Sequence, residues 1–188
     1  MTPETIISIF LGIGLAASVG FRVFLPLFAL SLAAYFNVWE LNDNWHWVGS
    51  LAAVITLGAA TIFEIFAYFI PWVDNLLDSF AVPLAAIAGT AVMVSTVANL
   101  DPVVTWALAI IAGGGTATAI KGAGAATRLI SSTTTGGLGN PIVSTVETGA
   151  AAAVTVASIF APVVAIVLVI IILFIIFSIY RKLRPKKG

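Results

Sequence analysis

The stretch that decides the fold class reads Val163-Val-Ala-Ile-Val-Leu-Val-Ile-Ile-Ile-Leu-Phe-Ile-Ile-Phe-Ser-Ile-Tyr180, followed at once by Arg181-Lys-Leu-Arg-Pro-Lys-Lys-Gly188. A helix of about 20 apolar residues crosses the hydrocarbon core of a bilayer. An uncharged run of this kind that ends in a basic cluster is typical of a membrane span with its anchor.

The composition extends this interpretation to the whole chain. Of 188 residues, 61% are hydrophobic and only 9% are charged, whereas about a quarter of an ordinary soluble domain is charged. We therefore predict an all-α, polytopic membrane protein that forms a single transmembrane domain over residues 1–188, with a basic tail at 181–188. There is no cysteine and only one histidine, His46, which excludes disulfides and cysteine- or histidine-rich metal sites. No cofactor or resident metal is expected. The start of the chain carries Glu4 and no basic residue, which is unlike a secretory signal.

The number of spans follows from the other apolar runs. They cover residues 6–36, 48–70, 80–98, 103–130 and 142–161. About six spans are predicted, with five as the alternative. The first run is interrupted by Arg22 and Pro26, so we expect one broken or tilted helix, or else a re-entrant hairpin. The last two runs meet at Pro162, in a tight hairpin or one kinked helix.

The basic residues predict an orientation. Five of them follow the last span, whereas the loops Asn37–Trp47 and Asn99–Pro102 contain acids and no lysine or arginine. Basic residues near span ends stay on the cytoplasmic side. The C-terminus is therefore predicted to be cytoplasmic and the two loops external. Six spans would place the N-terminus in the cytoplasm as well.

Two halves of the chain share a weak pattern. Ser79, Pro83, Ala86 and Ile87 recur at the same spacing as Ser158, Pro162, Ala165 and Ile166. Upstream of each set lie one glutamate (Glu64, Glu147) and one arginine (Arg22, Arg128). Three spans in each half would make an inverted 3+3 repeat of residues 1–100 and 101–180, the arrangement of many small transporters. Chance matches in an Ala-, Ile- and Val-rich chain are the alternative.

The charged residues inside the apolar runs are the candidate site. Each charge at membrane depth costs about 2.5–3.5 kcal/mol, so such residues face the bundle interior and pair with one another. Small and polar residues at helical spacing share a face with these charges, which supports an inward orientation of the charged side chains. Gly14 and Ser18 share a face with Arg22, Thr56 and Ala60 share one with Glu64, and Gly124 shares one with Lys121 and Arg128. A structural ion-pair network is the competing interpretation.

A second set of candidates follows the glycine-rich stretch that contains Lys121 and Arg128. Residues 131–141 are predicted to break the helix, with Asn140 as the N-cap of the next helix and Pro141 at its first position. Asn140, Ser144 and Glu147 would then lie at a helix N-terminus that suits an anion. A flexible loop, and a capping box formed by Ser144 and Glu147, are the structural alternatives.

Asp74 and Asp78 are spaced by four residues before an apolar run. With Asn75 they would ligate a cation or relay protons. Acids at this position also simply favour the positive end of a helix.

The chain resembles the bacterial membrane proteins grouped as domain-of-unknown-function family 4126. The resembling segments are Gly20–Pro26 and Glu64–Asp74, with Pro83, Ala88-Gly89, Lys121, Arg128, Asn140-Pro141, Ser144 and Glu147 in the same order. The family pattern usually has Asp-Lys where this chain has Tyr68-Phe69, and often an acid where it has Thr148. The resemblance implies a multi-pass protein of a bacterial inner membrane and marks residues without naming a substrate.

The predicted function is a small transporter or channel, expected as a homodimer, for a small ion or polar solute, an anionic one included. Its site would be Arg22, Glu64, Lys121, Arg128, Asn140, Ser144 and Glu147. A membrane scaffold or lipid-binding protein is the first alternative. An intramembrane enzyme with a metal on Asp74 and Asp78 is the second, and neither catalytic residues nor a nucleic-acid partner is predicted.

Overall fold

The computed structural model describes residues 2–183, apart from the side chains at positions 71, 72, 74, 75, 78 and 183. The described chain is built of eight α-helices, as the composition predicts: α1 Pro3–Phe21, α2 Phe24–Tyr35, α3 Leu51–Ala67, α4 Pro71–Thr96, α5 Pro102–Leu108, α6 Gly115–Thr135, α7 Asn140–Phe160 and α8 Pro162–Leu183. A 3-10 helix, Asp43–Gly49, precedes α3, and a π-helical turn, Ala109–Gly114, joins α5 to α6.

Five helical segments are long and apolar enough to cross a membrane. They are α1, the Ser79–Thr96 part of α4, the Pro102–Thr135 unit that contains α5 and α6, α7, and α8. The 3-10 helix and α3, bent by 64° at their junction, make a sixth if they are counted as one span. The prediction of a helical membrane protein with about six spans is therefore confirmed.

The first apolar run reverses direction at Arg22. The Ser18 hydroxyl donates to the Ala151 carbonyl, 2.8 Å away, and Arg22 reaches Ser144, so α1 is antiparallel to α7. Trp39, which follows α2, donates its indole N–H to the Ile159 carbonyl near the end of α7, at 2.9 Å. α2 therefore runs in the direction of α7 and opposite to α1. The hairpin is the correct alternative for this run, and α2 is a short apolar helix of 12 residues.

The last two runs also form a hairpin. Ala161 interrupts the helix with φ −148° and ψ 68°, and Pro162 begins α8, where its missing N–H is not needed. Val154 of α7 and Val169 of α8 belong to the same buried cluster, as is typical of the two arms of a tight hairpin.

The start of α1 lies with the two acidic loops. The amide of Ala98 donates to the Ser8 hydroxyl, 3.0 Å away, and Asn42 donates to the carbonyls of Val94 and Val97 at the end of α4. We call this the loop end of the bundle and the opposite end the tail end.

The five long segments, the bent pair and α2 make seven passes, so α8 finishes at the tail end. The described chain therefore begins and finishes at opposite ends of the bundle, whereas six spans predicted both chain ends on one side, because α2 adds a pass that is too short to count as a span.

The predicted inverted repeat is not confirmed. α4 and α8 run in opposite directions, but Ser79–Ile87 is continuous helix whereas Ser158–Ile166 is broken at Ala161. Inverted copies would also make the helices that carry Arg22 and Arg128 antiparallel. Instead α1 runs parallel to α5 and α6, because Ile9 and Ile13 pack against the buried cluster that contains Ala109, and Lys121 donates to the Phe21 carbonyl.

The connection between α6 and α7 is shorter than predicted. α6 continues to Thr135, and the hydroxyls of Thr133, Thr134 and Thr135 donate to carbonyls of the preceding turn. Gly136 and Gly137 then take positive φ angles of 63° and 89°, where a side chain would be strained. The break predicted over residues 131–141 is therefore confined to 136–139. Its three threonines stay helical, and their hydroxyls bond to the helix backbone.

Candidate functional site

The break between α1 and α2 is stabilised by two charged side chains. The Glu64 carboxylate accepts from the first two amides after the break, Val23 N–H to Oε1 at 2.7 Å and Phe24 N–H to Oε2 at 2.9 Å. The Lys121 ammonium donates to the Phe21 carbonyl at 3.0 Å. A negative group therefore caps the N-terminus of α2 and a positive group the C-terminus of α1, as the partial charges of helix ends favour.

Arg22 connects this break to α7. Its Nε donates to the Thr148 hydroxyl at 3.0 Å, and its Nη2 donates to the carbonyl and hydroxyl of Ser144. The side chain is completely buried, at 0% exposure. Its Nη1 is also buried and has no hydrogen-bond partner in the part of the chain that the structure describes.

Arg128 of α6 and Glu147 of α7 form a direct ion pair, and both side chains are buried. Gly124, one turn before Arg128, lies against the same carboxylate: a Cβ there would be 2.5 Å from Glu147 Oε1. The predicted face of Lys121, Gly124 and Arg128 is therefore correct. Ser144 and Glu147 lie in the second turn of α7, after the helix start at Asn140. The capping-box alternative for them is wrong.

Tyr68 lies where the cations converge. Its ring centroid is 4.2 Å from Arg22 Cζ, 4.3 Å from Arg128 Cζ and 5.5 Å from Lys121 Nζ. An aromatic ring attracts nearby cations through its quadrupole, most strongly when both are desolvated. The attraction of both guanidinium groups to the buried Tyr68 ring thus offsets part of the repulsion between them.

Most of the predicted site residues come together in what we call the charge cluster: Arg22, Glu64, Lys121, Arg128, Ser144 and Glu147. Asn140 is the first residue of α7 and Gly139 is its N-cap, so the helix begins one residue earlier than predicted. The Asn140 amide donates to the Ser132 hydroxyl at 3.1 Å, which ties α7 to the end of α6. The side chains of Asp74, Asn75 and Asp78, the predicted cation or proton relay, lie outside the described residues.

Two residues that contact the charge cluster, Tyr68 and Thr148, were not among the predicted site residues. Both are uncharged residues in positions where the resembling family pattern usually has an acid. Neither side chain carries the charge by which the other site residues were predicted, so the departure from the implied pattern was the available signal.

A cavity of about 420 Å³ between α6, α7 and α8 reaches the cluster. Glu147 is the charged residue among the described ones that line it; Ile142, Val146 and Ile172 are typical of the rest. A crevice of about 700 Å³ between α6 and α8 shares Ala123, Thr127 and Ile176 with it. The carboxylate that pairs with Arg128 is therefore reached through an apolar opening.

Comparison with known proteins places these features in a family. No curated protein and no solved structure is detectably similar to the chain. One family model, described as "Domain of unknown function (DUF4126)", matches residues 9–182, a range that includes the whole charge cluster. The chain therefore belongs to the DUF4126 family, and it is a helical membrane protein of that family.

Proposed function

We propose that this protein is a small transporter or channel whose substrate is a small ion or polar solute, preferentially an anion. The observation that carries the proposal is the buried Nη1 of Arg22, which has no hydrogen-bond partner among the residues that the structure describes. A buried donor without a partner costs about 1–3 kcal/mol, and more when it is charged. A bound anion would remove that cost.

The cations of the charge cluster support an anionic substrate. The described side chains of the cluster include three cations, Arg22, Lys121 and Arg128, and two carboxylates, Glu64 and Glu147. In this proposal the cations bind the substrate, and the carboxylates balance them or carry protons.

The broken helix supports transport as well. Transporter sites are commonly built from discontinuous helices whose ends face the substrate inside the membrane. Here α1 and α2 meet at Arg22, and the cavity at Glu147 offers a route to the same cluster. Asn140 lies at the start of α7, one of the helices that line this cavity. We further propose a homodimer in the inner membrane of a bacterium, with the tail end of the bundle in the cytoplasm and no enzymatic activity.

Flux through liposomes tests the proposal. Purified protein reconstituted in liposomes should release nitrate, formate or chloride faster than protein-free liposomes do. Arg22→Gln should abolish the difference, because it removes the buried charge, whereas Arg181→Gln, which changes an exposed arginine of the tail, should retain it. Equal leak from wild-type and empty liposomes for all three anions would contradict the proposal.

A lipid-binding scaffold is the second candidate. The apolar lining of the two cavities between α6 and α8 favours it, because an acyl chain fits such a surface. A scaffold would carry no flux and would retain one lipid class through purification. Mass spectrometry of the purified protein, set beside the liposome assay, separates the two candidates.

A further inference from the structure

The crevice of about 700 Å³ between α6 and α8 opens along the side of the bundle. Ala126 and Ile130 line it from α6, and Phe177 and Tyr180 line it from α8; all four side chains are exposed. At its loop-side end the two helices share a buried cluster with α1 and α7. The crevice therefore extends from the packed middle of the bundle to the tail end.

The length of the crevice matches one leaflet of a bilayer. The residues that line it extend from Leu173 to Tyr180 on α8 and from Ala119 to Ile130 on α6. At a rise of about 1.5 Å per residue, these ranges cover about 11 and about 17 Å along the helix axes. Half of a hydrocarbon core of about 30 Å is about 15 Å. An acyl chain of the leaflet at the tail end therefore has the length that the crevice accepts.

The lining of the crevice also suits an acyl chain. The described residues that line it carry no charge, and their side-chain polar groups are the hydroxyls of Thr127 and Tyr180. The Thr127 hydroxyl donates to the Ala123 carbonyl at 2.9 Å, so the α6 helix itself satisfies it. The apolar part of a ligand would thus meet no unsatisfied donor until it reaches Tyr180 at the tail end.

The groups that suit a charged headgroup lie at that end. Lys182 follows Ile179 by three residues and Ile175 by seven, and these two line the crevice and the smaller cavity beside it. Residues at this spacing share one helix face, so Lys182 continues the lined face of α8 beyond its apolar part. Its side chain is exposed. Basic residues between membrane helices near the surface attract the phosphate of anionic lipids.

We propose that this crevice binds an acyl chain of an anionic glycerophospholipid from the leaflet at the tail end, with Tyr180 and Lys182 at the headgroup. This inference goes beyond the proposed transport function and does not depend on it. It also names the leaflet and the headgroup class, which the scaffold candidate leaves open.

The width of the crevice favours a lipid over a second copy of the chain. A volume of about 700 Å³ over about 11–17 Å leaves a mean cross-section of about 40–65 Å². A helix with its side chains is about 10–12 Å wide, so its cross-section is about 80–110 Å². A helix of a partner would therefore cover the crevice without filling it, whereas an acyl chain lies inside it.

Native mass spectrometry of the delipidated full-length protein tests the proposal with two lipids that share their acyl chains, dioleoyl-phosphatidylglycerol and dioleoyl-phosphatidylcholine. Wild-type protein should bind the anionic lipid at least about fivefold more tightly, because each basic residue near the surface contributes about this factor. Lys182→Gln should reduce the preference by about fivefold. Equal affinity of wild-type protein for the two lipids would overturn the proposal.

A second pair of variants tests the place of binding. Ala126→Phe puts a ring into the crevice and should weaken the binding of both lipids by about tenfold or more. Ala59→Phe makes the same change at an exposed position of α3, which lines neither cavity, and should bind both lipids as wild type does. If the two variants bind equally well, the lipid lies elsewhere and the proposal is wrong.

The remaining outcomes separate this site from the other interpretations. If Ala126→Phe cannot be purified, an unchanged lipid preference in Lys182→Gln contradicts the proposal by itself. A wild-type dimer that carries no lipid and that Ala126→Phe dissociates would assign the crevice to a second copy instead. Lipid selectivity without anion flux in liposomes retains this site and rejects transport, whereas flux without lipid selectivity retains transport and rejects this site.

Discussion

At the scale of residues, the Tyr68 ring stabilises the positive charges of the cluster through cation–π attraction. Arg22 and Arg128 both lie within 4.3 Å of its ring centroid, and Lys121 lies somewhat farther away. A desolvated cation over an aromatic ring gains about 2 kcal/mol or more. The ring therefore contributes attraction where an aliphatic side chain would leave the arginines facing apolar atoms.

We expect Tyr68→Leu to lower the free energy of unfolding by about 2–4 kcal/mol, because it removes the ring that the arginines share. Thermal or chemical unfolding in detergent measures the change. Tyr68→Phe is the control, because it keeps the ring and shows how much the hydroxyl alone contributes to the free energy of unfolding. A leucine variant as stable as wild type would show that the ring contacts contribute nothing.

The buried Arg128–Glu147 ion pair is also expected to contribute to stability. Removing one partner of a buried pair costs about 3–5 kcal/mol, because it leaves the other charge uncompensated. Glu147→Ala and Arg128→Met should each be destabilised by about this amount. The double variant should be more stable than the sum of the two effects predicts, with a coupling energy of about 0.5–3 kcal/mol. Additive effects would mean that the pair is not coupled.

At the scale of elements, the closeness of α4 and α6 depends on glycines at their crossing. A Cβ added to Gly89 would lie 2.6 Å from the Ala117 Cβ, and one added to Gly113 would lie 2.6 Å from the Gly89 carbonyl oxygen. Helices in membranes associate through such small residues, because lipid offers no hydrophobic driving force between them. The π-helical turn that contains Gly113 belongs to this crossing.

Gly113→Ala should therefore destabilise the protein by about 1–3 kcal/mol, because the backbones must separate to admit the methyl group. Gly115→Ala is the matched control two residues later, where a Cβ would meet nothing within 4 Å. It should be neutral or stabilising by up to about 1 kcal/mol, since alanine favours a helix more than glycine does. The two melting temperatures measured side by side test the crossing, and equal values would contradict it.

At the scale of the whole molecule, the seven passes separate the two ends of the chain. The start of α1 bonds to the loop after α4, whereas α8 finishes at the opposite end. The acidic loops stand at the first end and the basic tail follows the second, which agrees with the tendency of basic residues to remain in the cytoplasm.

A reporter at each terminus tests this topology. Green fluorescent protein should fluoresce when it is fused to the C-terminus, and alkaline phosphatase should be active when it is fused to the N-terminus behind a short linker. The reverse exchange of reporters should give little signal. Both termini on the same side would contradict the extra pass made by α2.

The amino-acid sequence by itself determined that lipid surrounds the protein, that its fold is helical, and which residues are candidates for the site. Lipid excludes a charged surface, so a chain with 9% charged residues can only be read as membrane-embedded, and its few internal charges must cluster. Those arguments need composition and spacing alone. They identified Arg22, Glu64, Lys121, Arg128 and Glu147 before any contact was known.

Only the tertiary structure decided how those residues are partnered and which way the chain turns. Hydropathy measures the length of an apolar run, and the run over residues 6–36 has the same hydropathy whether it kinks or reverses. The reversal at Arg22 depends on Glu64 and Lys121, which reach the broken backbone from distant helices. Likewise Tyr68 contacts the charge cluster because the bundle places its ring among the cations, a relation between helices that no local pattern encodes.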